Sequence, residues 1–163
     1  MNLDLNKTNP NELYQQALKF EKLRDYNSSI KCFHKAALAG SVMAYIVLAH
    51  YIKYPVNGYK LDDVAKSIVD PSNFSKYLDD SVALGSNDAI FFKAREQFIG
   101  DGFIPFDFNE ALNAFKYLKT LDYDPYDTFS DDWTIDDYID RVNRTINHYA
   151  NRKSKHKCYG AIS

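Results

Sequence analysis

Cysteine is nearly missing. Only Cys32 and Cys158 occur in a chain of 163 residues, too few for a disulfide framework, which favours a reducing compartment. Cys32 falls within a helical apolar pattern and reads as a buried free thiol. Glycine and glutamate are scarce as well, at six and four residues. No Gly-x-Ser-x-Gly, phosphate loop or dinucleotide fingerprint occurs, and so few glutamates give acid–base chemistry little to work with. The expectation is therefore a protein that is not an enzyme and takes no cofactor. His34, His50, His148 and His156 form no ligand motif, and His148 and His156 with Cys158 lack a fourth donor, so no metal site is expected.

Long apolar runs are absent too. The longest, Val42 to Ile52, is interrupted by His50 and is far too short to span a bilayer. The opening MNLDLNKTNPNELYQQ has neither the basic segment nor the apolar run of a secretory signal. A cytoplasmic protein without a membrane partner is expected. Neither sign of charge dominates: the net charge of −2 argues against general attraction to nucleic acid. Alternating strand patterns with hairpin chemistry are also lacking, which leaves an all-α chain.

Helical periodicity is abundant. Asn9-Pro10 is a plausible entry to a first helix, over Glu12 to Leu23, with Leu13, Ala17, Leu18 and Phe20 on one face. A second carries Ile30, Cys32, Phe33, Ala36 and Ala37 and ends at Gly40, where a left-handed backbone is tolerated. A third covers Val42 to Lys53, broken by Tyr54-Pro55-Val56-Asn57-Gly58. After an irregular stretch with a short helix between Leu61 and Val69, helices are expected over Ser72 to Leu84, Ala89 to Ile99 and Asp107 to Leu121. The last helix begins near Ile135, with Thr134 and Asp137 at capping-box spacing, and frays after Arg152.

The same spelling returns along the chain. Aligning Gly40 with Gly85 sets Ser41 on Ser86 and Ala44 on Ala89. Asp25-Tyr26-Asn27-Ser28-Ser29-Ile30 and Asp107-Phe108-Asn109-Glu110-Ala111-Leu112 both read Asp–aromatic–x–x–small–aliphatic, followed by Phe33 and Phe115. The Asp caps the helix, the small residue admits a close neighbour, and the Phe fills the seam.

In these residues, and in Ala36-Ala37-Leu38-Ala39-Gly40 followed by Ala44, the chain resembles the tetratricopeptide superfamily, particularly its Sel-like repeat branch. The likeness covers residues 11–122. The middle unit departs from it by an insertion around residues 54–71, and the third lacks a terminal Ala-Ala-x-x-Gly. The resemblance implies one domain over residues 1–163. It would be a short α-solenoid of about three stacked helical hairpins, then an acidic loop and C-terminal capping helix over 123–152 and a tail over 153–163. It also implies a protein-binding adaptor whose concave face would carry Tyr14, Lys22, His50, Tyr54 and Arg95.

A second candidate surface is compositional. Residues 122–140 hold eight Asp and no Glu, Lys or Arg, with Tyr123, Tyr126, Phe129, Trp133 and Tyr138 interleaved. A solvated linker would look like this, and so would a face for a basic partner, since aromatic residues dominate binding hot spots. Tyr126, Asp131, Asp132, Trp133 and Asp136 are its candidate contacts. Asp131-x-x-x-x-Asp136 lacks the calcium-loop pattern. From this surface comes the alternative expectation, a bacterial immunity protein that neutralises a basic toxin, such as a nuclease. Oligomeric state is left open.

Overall fold

The computed structural model describes residues 9–100, 102–125 and 132–159, with side chains through Arg152. Every regular element among them is helical. The chain forms two compact units, divided between Ala89 and Ile90.

The first unit contains α1 (Pro10–Lys22), α2 (Tyr26–Leu38), α3 (Val42–Lys53), α4 (Asp63–Ile68), a 3-10 turn (Pro71–Asn73) and α5 (Phe74–Ala83). Here α1 packs on α2, α2 on α3, and α3 on α5. Ala17, Ile30, Phe33, Ala36, Leu48 and Leu78 are wholly buried. The small residues are where helix axes must come close, and the Phe fills between them. Cys32 is a free thiol but only half-buried, because it flanks the buried stripe of α2 rather than sitting in it; burial pushes its thiol up.

The division falls inside α6 (Asn87–Ile99). The second unit adds α7 (Phe108–Thr120) and α8 (Ile135–Tyr159). Its core joins Phe91 and Ala94 of α6, Leu112 and Phe115 of α7, and Tyr138 and Val142 of α8. Phe91, Phe115 and Tyr138 meet as rings, with Phe115 and Tyr138 stacked at 4.8 Å. The capping box at Thr134 forms as spelled: the Thr134 main-chain N–H donates to Asp137 Oδ2 at 2.9 Å, and the Asp137 N–H donates to Thr134 Oγ1 at 3.2 Å. The backbone of α8 is helical through Tyr159, past the expected end at Arg152.

Four helices end in the same way. After α2, the Gly40 N–H donates to Ala37 O and the Ser41 N–H to Ala36 O. After α5, Gly85 and Ser86 donate to Val82 O and Ser81 O. After α1 the pair is Arg24 to Glu21 O and Asp25 to Phe20 O, and after α7 it is Asp122 to Lys119 O and Tyr123 to Leu118 O. Each is a Schellman motif, whose pivot residue takes a left-handed backbone; φ is +97° at Gly40, +86° at Gly85, +59° at Arg24 and +52° at Asp122. At three of the joints the next residue also starts a helix. Asp25, Ser41 and Ser86 accept from the N–H groups of Ser28, Ala44 and Ala89 at 3.1, 3.4 and 3.1 Å. Two residues thus close one helix and open the next.

Candidate functional site

The residues assigned to a concave face lie on three helices, except Tyr54, which caps the C-terminal end of α3. Tyr14 of α1 is half-buried and meets Phe33 edge-on at 5.3 Å; burial, then the Glu21 carboxylate, pushes its hydroxyl up. Lys22, in the last turn of α1, is exposed. The structure brings His50 and Tyr54 together at the end of α3, with rings 5.7 Å apart and Tyr54 56% exposed. In the second unit, Arg95 of α6 is half-buried, with Nη1 3.6 Å from Oε1 of the buried Glu96.

Two of the described residues of the acidic segment, Trp133 and Asp136, are engaged within their own unit. Tyr126 and Asp131 lie outside the described residues. Asp132 is exposed. Asp136 is ion-paired with Lys119. Trp133 packs half-buried against the core, 5.2 Å from the Tyr138 ring, and the Arg141 guanidinium lies 3.7 Å from its ring centroid. Cation–π geometry of this kind joins the acidic start of α8 to its own next turns.

A cleft of about 440 Å³ opens in the first unit between α2, α3 and the segment that follows α3. Ile30 and Ile52 form its helical wall, and Val56, Leu61 and Val69 close it from the other side. The following segment is pinned to α2. Asn27 Nδ2 donates to Lys60 O at 3.3 Å while its Oδ1 accepts from the Asp62 N–H at 2.8 Å. Lys31 is ion-paired with Asp62, which also caps α4 through the Ala65 N–H at 2.9 Å. Tyr59 lies edge-on to Tyr26 at 4.5 Å, and its hydroxyl accepts from Arg24 Nη1 at 3.4 Å.

Deeper in the unit, the Tyr51 hydroxyl donates to Glu21 Oε1 at 2.6 Å. Burial, then that carboxylate, pushes it far above the ordinary tyrosine range. Ser29 beside it is fully buried, and its hydroxyl partly opposes that upward shift.

No known protein family, curated protein or solved structure matches this chain. Among the described residues, no group of three His, Cys, Asp or Glu is placed to hold a metal ion, and no helix is long and apolar enough to cross a membrane.

The cleft is the feature that the periodic pattern left unread. Its outer wall lies within residues 54–71, the stretch between α3 and α5. One signal was present: Val56, Leu61 and Val69, aliphatic residues between Pro55 and Pro71 that belong to no amphipathic helix of the periodic pattern, need somewhere to bury. The arrangement supplies apolar contact area with lysines at its edge, which suits binding.

Proposed function

We propose that the chain is a non-catalytic protein-interaction module of the Sel-like, tetratricopeptide-like kind, a short solenoid of stacked helical hairpins serving as an adaptor. The observation that supports this reading is the repeated joint: four helices end in one hydrogen-bond pattern, and two of those ends, 45 residues apart by the numbering of Gly40 and Gly85, share the Gly-Ser spelling. A chain that reiterates hairpins in this way spends its sequence on surface rather than on a catalytic pocket. The partner face is taken to include His50 and Tyr54, the pair that the structure brings together at the end of α3. The alternative, an inhibitor of a basic toxin acting through the acidic segment, leans on Asp132, because Asp136 and Trp133 already have partners within the chain.

Affinity capture from the protein's own cells tests both. Three baits are compared: the natural chain, His50→Ala/Tyr54→Ala, and Asp132→Asn/Trp133→Ala. The adaptor reading expects a stoichiometric partner that is lost with the first pair at unchanged circular dichroism. Loss with the second pair alone transfers the function to the acidic segment. Absence of any stoichiometric partner overturns the interaction role.

A further inference from the structure

The geometry points to the cleft between α2, α3 and residues 54–71 as a binding site for a small molecule with an apolar body and one anionic head group. This inference is independent of the adaptor reading, since it rests on one unit and on none of the residues assigned to the partner face.

Size comes first. A volume of about 440 Å³ lies within the range of small-molecule sites, roughly 300–1,000 Å³. The walls are aliphatic and aromatic, and Val56, Leu61 and Val69 are only half-buried while Pro55 and Tyr59 are exposed, so an apolar body gains contact area on entering. The site is also prebuilt. Asn27 clasps the main chain on both sides of Leu61, and Lys31–Asp62 and Tyr26–Tyr59 hold the same segment to α2. Little ordering is left for the ligand to bring about, which favours affinity.

Charge sets the head group. The lining includes Lys60 and Lys66 and no carboxylate. The nearby acids are occupied elsewhere: Asp62 by Lys31 and the α4 cap, Asp70 by the Ser72 N–H and hydroxyl. Asp63 reaches Lys66 only at 3.7 Å, with both side chains well exposed. Lys60 makes no ion pair among the described residues, while its carbonyl is fixed by Asn27. These two lysines are therefore the cationic lining residues open to an anionic head group, and engaging them displaces no buried pair. A cation of the same shape meets repulsion.

Dodecanoate, kept below its micelle-forming concentration, is a suitable probe. It is titrated into the full chain carrying ¹³C-labelled Ile, Leu and Val methyls, alongside dodecyltrimethylammonium. Saturable shifts at Ile30, Ile52, Val56, Leu61 and Val69 are expected with the carboxylate and much weaker ones with the cation. Lys60→Glu/Lys66→Glu should weaken dodecanoate binding by about tenfold without moving the urea midpoint, because both side chains are exposed. Val56→Trp should abolish binding by filling the cleft. Shifts that do not saturate, equal binding of the two amphiphiles, or unchanged affinity in the double lysine variant would each overturn the inference.

Discussion

Replacing Asp122 by Gly should stabilise this protein. Asp122 pivots the joint after α7 at φ +52°, where the equivalent joints after α2 and α5 use Gly40 and Gly85. A left-handed backbone costs an ordinary residue about 1–2 kcal/mol, with Asp toward the low end because its short polar side chain tolerates that region. Glycine gives back about 0.5–1 kcal/mol through the extra freedom it loses on folding. The net gain is about 0.5 kcal/mol for Asp122→Gly; Arg24→Gly relieves more backbone strain but loses the Nη1 contact with the Tyr59 hydroxyl, which offsets about 0.5 kcal/mol of that relief. The reverse substitutions isolate the same quantity. A Cβ built on Gly40 or Gly85 meets no atom within 4 Å, so Gly40→Ala and Gly85→Ala lose about 1 kcal/mol by backbone strain alone, with no clash added. Urea unfolding followed by circular dichroism measures all four, with unchanged slope as the sign that the unfolded chain has not altered. If Asp122→Gly were destabilising, or Gly40→Ala neutral, the account of the joints as one backbone device would fail.

Other outcomes follow from single contacts. Hydrogen bonds from Ser28, Ala65, Ser72 and Thr134 hold the carboxyls of Asp25, Asp62, Asp70 and Asp137 below the usual carboxylate range. Their stabilisation is complete above about pH 4 and is lost as pH falls through the lowered folded-state values. The melting temperature should therefore fall below about pH 4, and a flat profile down to about pH 2 would contradict the capping geometry. Arg141→Ala should lower stability by about 0.5–1 kcal/mol and change the fluorescence of Trp133, the only tryptophan in the chain; an unaltered spectrum would refute the stacking. Gly100→Ala should destabilise by a different route from Gly40→Ala, because its Cβ would lie 2.5 Å from Glu96 O.

Helix boundaries with a spelled cap were legible in the sequence. Asp25 and Asp107 cap α2 and α7, and Asn9 caps α1 by accepting from the Asn11 N–H at 3.0 Å. Periodicity alone located the others within a turn. Helix α6 starts at Asn87 rather than Ala89, because Ser86 is its cap as Ser41 is for α3. Helix α5 starts at Phe74 rather than Ser72, because Asp70 and Pro71 first make a 3-10 turn. Arg24 and Asp122 escaped notice as pivots, since neither residue type advertises a left-handed backbone as glycine does. The candidate surfaces were less legible. Composition marked Trp133 and Asp136 as distinctive, but Lys119, the partner of Asp136, is set by how α7 and α8 pack, and Arg141 meets Trp133 from two turns further along α8. The cleft needed the contact between Asn27 and residues 60–62, more than thirty positions away.

That clasp has a consequence for redesign. Asn27 engages only a main-chain carbonyl at Lys60 and a main-chain N–H at Asp62, groups that every residue except proline can offer. This part of the hold on the connection between α3 and α4 is therefore independent of its side chains, unlike the Tyr26–Tyr59 contact. A grafted segment of different length or composition that returns a carbonyl and an N–H two residues apart beneath Asn27 would dock on the same helix, making residues 54–61 a replaceable cassette.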